Sequence, residues 1–188
     1  MRVQTAHSLR PCPGFASSGD VVVTRQEGAR ALFAVIDVLG HGPEAATVAA
    51  MGEAYLNGVD LDRSVEDWLR GLHEALAGTR GAAAGLARID GDTLSVTIVG
   101  NVAVRSCGTR VGVVASPGIV GRRMRRIRSD SFSMRPGDRI ALFSDGLRRV
   151  DLTSTRALSP DDACAQLLET CAVRADDASI LLADFHDA

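Results

Sequence analysis

The sequence is poor in aromatic residues, which make up 4% of it with one Trp and one Tyr, so its core has to be built mainly from Val, Leu, Ile and Ala. It lacks any run of about 18 consecutive apolar residues, the length a helix needs to cross a bilayer. Its first residues, Met1-Arg2-Val3-Gln4-Thr5-Ala6, lack the apolar centre of a secretory signal. Both absences lead to an expected cytoplasmic location. No CxxC pair is present. Cys12, Cys107, Cys164 and Cys171 are scattered and are expected to be plain thiols in a reducing compartment, with Cys164 and Cys171 both on the buried face of one helix. Six prolines against 19 glycines argue for an ordered fold with many turns. A net charge of −2 gives no electrostatic reason to expect nucleic acid. There is no repeat, low-complexity segment or linker, and 188 residues with 46% apolar content are expected to form one domain over residues 1–188 with a proper core.

The chain is organised around Ala34-Val35-Ile36-Asp37-Val38-Leu39-Gly40-His41-Gly42-Pro43-Glu44. An apolar run ends at an acid, a glycine-rich turn follows, and Pro43 and Glu44 suit the first turn of a helix. Around it the patterning predicts strands over residues 1–10, 21–25 and 30–37, the last two forming a hairpin. Helices are predicted from Pro43 to Asn57 and from Ser64, whose S-x-x-D start is a capping signal, to Ala77. Strands follow over 82–89 and 93–99 across an Asp90-Gly91-Asp92 turn, then over 102–106, 109–115, 127–134 and 139–144. A third helix starts at Ser159-Pro160, and a last strand covers 180–183. His73 reads as an ordinary helical residue.

Aspartates recur at strand ends. Asp37 and Asp145 each close an apolar strand before a glycine-containing turn, and Asp20 and Asp176-Asp177 each precede a strand. In an antiparallel hairpin, Asp20 at the start of one strand and Asp37 at the end of the next lie at the same end of the sheet. Each aspartate alone is an ordinary turn former. Crowded at one edge they repel one another, and a multivalent cation makes the crowd tolerable. Oxygen donors without Cys or clustered His favour Mg²⁺ or Mn²⁺ over Zn²⁺.

Ser18-Gly19-Asp20, Asp37-Val38-Leu39-Gly40-His41-Gly42, Pro136-Gly137-Asp138-Arg139, Ser144-Asp145-Gly146-Leu147 and Asp176-Asp177-Ala178-Ser179 occur in this order across nearly the whole chain. They resemble the motifs of the metal-dependent PP2C-like protein phosphatases, specifically the bacterial SpoIIE branch and its short stand-alone members. The resemblance implies an α+β fold, a four-layer α-β-β-α sandwich with two antiparallel β-sheets and a site at one sheet edge. It implies two divalent ions, Mn²⁺ or Mg²⁺, bridged by Asp37. The backbone carbonyl of Val38 and Asp20 would serve one ion and Asp145 and Asp176 the other, with Asp177 the alternative if the register shifts by one. His41 would assist the leaving serine or threonine oxygen, or only brace its turn. The implied substrate is a phosphorylated STAS-domain protein, either an anti-sigma-factor antagonist or a stressosome component, with no nucleic acid and no membrane as partner.

Other readings stay open beside this one. A non-enzymatic pseudophosphatase could keep the fold to hold a partner, and a different metal-dependent phosphohydrolase could act on a small molecule, although no nucleotide-binding loop is recognisable. The N-terminal arginine that larger relatives use for phosphate has no match, since Arg2 and Arg10 sit in no corresponding motif. There is little room for a flap, so substrate choice is expected to rest on docking of a folded partner instead of a peptide groove. The basic run Arg122-Arg123-Met124-Arg125-Arg126-Ile127-Arg128 is either a solvated face or a docking surface for an acidic or phosphorylated protein.

Overall fold

The segment Arg30–Val38 (β3) has all but two of its side chains buried, and their alternation divides them between two cores. Leu32, Ala34, Ile36 and Val38 join a cluster with Ala45, Val48, Leu56, Trp68, Leu69 and Leu72. Ala31, Phe33 and Val35 join another with Ile140, Leu142, Leu181 and Phe185. A strand covered on both faces reads in sequence as one continuous apolar run, which is why β3 shows no polar alternation.

The computed structural model describes residues 1–124 and 126–187. Its other strands are β1 (Arg2–Arg10), β2 (Asp20–Glu27), β4 (Ala82–Asp90), β5 (Thr93–Val99), β6 (Ala103–Cys107), β7 (Gly118–Ile119), β8 (Arg123–Met124), β9 (Ser129–Ser133), β10 (Arg139–Phe143) and β11 (Ala178–His186). Its α-helices are α1 (Pro43–Asn57), α2 (Val65–Ala75) and α3 (Pro160–Cys171). One antiparallel sheet has the order β2-β3-β4-β5-β9 and the other β1-β11-β10-β6, while β7 and β8 form a separate small hairpin. A third cluster packs Ala163, Cys164 and Leu167 of α3 on Ala141, Phe143, Ile180 and Leu182. The layers therefore run α1/α2, five-stranded sheet, four-stranded sheet, α3, which is the expected α-β-β-α sandwich.

Local signals fixed most element ends. The Ser64 hydroxyl accepts the Asp67 N–H at 3.2 Å, and Ser159 caps α3 through Asp162 in the same way, so each S-x-x-D start satisfies an otherwise orphaned amide. Three expectations need correction. The strand expected over 109–115 is irregular, because side chains take its amides: Thr109 N–H donates to Asp138 Oδ1 at 2.7 Å and Val111 N–H to Ser106 Oγ at 2.9 Å, in place of a ladder. The last strand is longer than expected, spanning Ala178–His186. On α3, Cys164 is fully buried but Cys171 is only half-buried. None of the four cysteines is in a disulfide, and burial pushes the Cys164 thiol up to about 12. Among the described residues no helix is long and apolar enough to cross a membrane.

Candidate metal centre

The two-residue period that sorts β3 between its cores also aims Asp37. It follows Ala31, Phe33 and Val35 on the face toward the second sheet, and its cross-strand partner is Asp20. In the facing sheet Ser144 follows Ile140 and Leu142 on the inward face, and Ser179 precedes Leu181 and Ala183. Ser144 N–H donates to the Ser179 carbonyl at 3.1 Å, and Ser179 N–H donates to Ser144 Oγ at 3.1 Å. The apolar space between the sheets thus ends in a polar mouth made of two aspartates from one sheet and two serines from the other. Asp145 sits one residue after Ser144 and Asp176 three residues before Ser179, in the loops after β10 and before β11.

The carboxylates there are electrostatically unsettled. Asp20 is 4% exposed, and among the described residues its Oδ2 has no hydrogen-bond partner. Burial pushes its carboxyl up to about 6, the hydroxyls of Ser144 and Ser179 work against this, and the charges of Asp177 and Asp176 add to it. Asp37 is pushed up to about 8, first by burial and then by the charges of Asp20, Asp145 and Asp176. Asp176 is raised by burial and by Asp145. Among the described residues none of these carboxylates is in an ion pair with an arginine.

Asp145 and Asp177 are held differently. Asp145 Oδ2 accepts a hydrogen bond from Asn101 Nδ2 at 2.6 Å, from the turn between β5 and β6. Asp177 is 4% exposed, and both its oxygens are engaged: Oδ1 by Cys12 N–H and Oδ2 by Gly19 N–H, each at 2.7 Å. Asp177 therefore ties down the loop that delivers Asp20 into β2. Gly146 permits this arrangement, since a Cβ there would lie 1.8 Å from the Asp177 carbonyl oxygen.

The D-x-x-G-H-G turn leads from Asp37 into α1. Val38 N–H donates to the Gly19 carbonyl at 3.1 Å and the Val38 side chain lies in the helix-facing core, so any contribution from Val38 to the mouth is through its backbone. Gly42 has φ 80°, and a Cβ on it would meet the Phe15 ring at 2.8 Å, which only glycine avoids. Phe15 in turn lies against His41, ring centroids 4.5 Å apart. His41 is exposed and is among the groups acting on Asp176, where it lowers the pKa. Arg80 spans this turn, donating to the Leu39 carbonyl at 3.1 Å and pairing with Glu44.

The donor set suits a hard divalent cation. It offers carboxylates without sulfur, an orphaned buried oxygen on Asp20, and mutual repulsion that bound positive charge would relieve. Among the described residues no three His, Cys, Asp or Glu side chains already converge as a closed cage, so the carboxylates stand as an open group. A cavity of about 290 Å³ adjoins them, lined by Asp37, Leu39, Ala83, Gly100, Asn101, Gly118 and Ile119. Ser144 and Ser179 were legible in principle from the period-two pattern of their strands. Asn101 and Phe15 carried no sequence signal, because the contact of the first spans 44 residues and that of the second with His41 crosses the whole β2–β3 hairpin. Within the basic run Arg122, Arg123, Arg126 and Arg128 are exposed, while Met124 and Ile127 pack on the core; Arg125 lies outside the described residues.

Comparison with known proteins agrees with the layered fold. The family model described as stage II sporulation protein E (SpoIIE) matches residues 27–186. A chain solved in work on the bacterial stressosome, a modular system adapted to control secondary messenger signalling, is 26% identical over 97% of this chain and 100% of that one, with a TM-score of 0.90. RsbX in complex with magnesium is 20% identical over 97% of this chain and 94% of its own, with a TM-score of 0.85. The PP2C phosphatase domain of SpoIIE from Bacillus subtilis is 19% identical over 98% of this chain and 64% of its own, with a TM-score of 0.76. Among curated proteins no sequence matches this one. With the match spanning most of its length, the chain belongs to the SpoIIE family of PP2C-type protein phosphatases.

Proposed function

We propose that the whole chain is one metal-dependent phosphoserine/phosphothreonine phosphatase domain that acts in the cytoplasm on a regulatory phosphoprotein. Its substrate is a phosphorylated STAS-domain protein, either an anti-sigma-factor antagonist or a stressosome component, the latter in keeping with the stressosome chain named above. The observation that carries this reading is the Asp20–Asp37 cross-strand pair at the mouth between the sheets, with a buried carboxylate oxygen left unpartnered. Asp20, Asp37 and the Val38 carbonyl would hold one divalent ion, Mn²⁺ or Mg²⁺, and Asp37, Asp145 and Asp176 a second. Asp177 is committed to two backbone amides and serves better as the anchor of the Asp20 loop than as a ligand.

When bound, such cations supply Lewis-acid charge for the phosphoryl oxygens and a water acidified toward neutral pH. The protein supplies the rest. Asp37 would contribute charge to both ions, and Asn101 orients Asp145. Leu39, Ala83 and Ile119 line the cavity beside Asp37, and such apolar walls strengthen charge interactions next to them. His41, set by Phe15 at the rim, is positioned to pass a proton to the leaving serine or threonine oxygen, directly or through water. The test is an assay of the purified protein with Mn²⁺ on a phosphorylated STAS protein, with Asp37→Ala as control. Turnover that needs both the metal and Asp37 is expected. Tight binding without turnover would indicate a pseudophosphatase, and hydrolysis of nucleotides alone a small-molecule enzyme.

A further inference from the structure

The segment from Ser116 to Arg128 reads in sequence as a break followed by charge, but most of its length is fixed to the fold. Ser116 N–H donates to the Ile98 carbonyl at 2.8 Å and the Ser116 carbonyl accepts from Gly100 N–H at 3.1 Å. Val120 exchanges hydrogen bonds with Ala82 at 2.8 and 3.0 Å. Gly121 N–H donates to His73 Nδ1 on α2 at 2.9 Å, and the Arg128 carbonyl accepts from Thr97 at 2.7 Å. Val120, Met124 and Ile127 sink into the helix-facing core. This leaves a rigid β7–β8 hairpin standing beside the carboxylates.

The hairpin shapes what lies next to the site. Pro117, Gly118, Ile119 and Arg123 line an open cavity of about 440 Å³. Gly118 and Ile119 also line the cavity that holds Asp37 and Asn101. The two are therefore one trough, running from the carboxylates over Ile119 and the 44%-exposed Leu39 to Arg123. Its middle is apolar and its far end is cationic. Arg122, Arg123, Arg126 and Arg128 along this segment make no ion pair among the described residues, although the chain as a whole carries a net charge of −2. A small phosphoester would use only the Asp37 end. Among the described residues no aromatic side chain lines either cavity, so they offer no stacking platform for bases.

We propose that this trough seats the polypeptide flanking the phosphorylated residue, with an apolar side chain packed over Ile119 and Leu39 and an acidic side chain reaching Arg123. The occupant is thus a phosphorylated loop of an acidic protein, read locally in addition to any wider docking. The proposal rests on the reading of the carboxylate site as a protein phosphatase. The chain has no lysine, and all 21 of its Lys and Arg residues are arginine; the planar fork of Arg123 suits a carboxylate.

The experiment is a panel of phosphoserine peptides with Ala, Leu, Glu or Lys at each flanking position, assayed with Mn²⁺ beside p-nitrophenyl phosphate. The expected result is a preference of about tenfold in kcat/KM for the peptide with Leu near and Glu beyond over its Lys counterpart, the scale of one charge-assisted contact. Arg123→Glu, an exposed position, should reverse the Glu-over-Lys ranking, and Ile119→Ser should erase the preference for Leu. Identical rankings for wild type and Arg123→Glu would overturn the proposal. If neither peptide nor p-nitrophenyl phosphate were hydrolysed, the phosphatase reading itself would fall. The trough would then be judged by fluorescence polarisation of the same peptides, where equal affinities of both proteins for the Glu and Lys versions would overturn it as well.

Discussion

The two ends of β10 carry aspartates in opposite circumstances. At its start, Asp138 is buried, yet hydrogen bonds from Thr109 and from the Arg135 N–H overcome that burial and hold its carboxyl below the usual carboxylate range. Beside it Arg139, 4% exposed, forms a forked pair with Asp184 at 2.6 Å for both bonds and donates to the carbonyls of Thr155 and Leu158 at 2.6 and 2.8 Å. At its other end Asp145 opens into the group in which Asp20 and Asp37 sit at about 6 and about 8. The first end is complete within the chain. The second lacks positive charge that the chain does not supply. Motif positions therefore divide into those that hold the fold and those prepared for something outside it, and partner satisfaction tells them apart where residue type does not.

Substitutions should separate the two ends. Asp37→Asn is expected to lower phosphatase activity about a thousandfold, since a lost contribution of several kcal/mol at the transition state is of that order, while the metal-free protein becomes more stable at neutral pH by about 1–2 kcal/mol because a crowded carboxylate is gone. Steady-state kinetics and urea unfolding measure the two effects, and a metal-free protein destabilised by Asp37→Asn would break the comparison. Arg139→Ala should do the reverse at the far end, removing about 3 kcal/mol of stability by leaving the half-buried Asp184 without its partner. Urea unfolding of the Arg139→Ala, Asp184→Ala and double variants would show it, the double losing less than the sum of the singles.

The pH response should also differ between the ends. Asp20 and Asp37 are raised in the fold, so the unfolded chain gives up those protons first and metal-free stability falls as pH rises from about 4 to about 8. Asp138 is lowered, so its contribution is present above about pH 4 and is lost on acidification. Thermal melts in EDTA over this range should show a decline for wild type that Asp37→Asn flattens by about 1–2 kcal/mol, and stabilisation by added Mn²⁺ that grows over the same window. A wild-type profile identical to that of Asp37→Asn would remove the assigned crowding. The smallest effect is expected from Asn101→Leu, which frees Asp145 without altering a carboxylate. Mn²⁺ affinity by calorimetry should weaken about tenfold, with stability changed little.

Much of the fold was legible because its causes are local. The continuous apolar run of β3, the S-x-x-D caps of α2 and α3 and the Gly91 turn each act within a few residues. The irregular course of 109–115 was not legible, since the Thr109 amide that opens it is captured by Asp138, far along the chain. The β7–β8 hairpin was missed because its two-residue strands are shorter than any periodicity can register, and it is held by Ala82 and His73 from distant elements.

The sequence by itself determined which aspartates end strands and which family the motifs belong to, because strand period and turn chemistry act within a few residues. It also determined that Asp20 faces Asp37, since a short hairpin leaves few registers. Only the tertiary structure decided how the adjacent Asp176 and Asp177 are each held. Asp177 is claimed by the amides of Cys12 and Gly19, whereas Asp176 remains beside Asp145. Those amides lie more than 150 residues away, and packing of the two sheets, not any local preference, brings them to one of the two carboxylates.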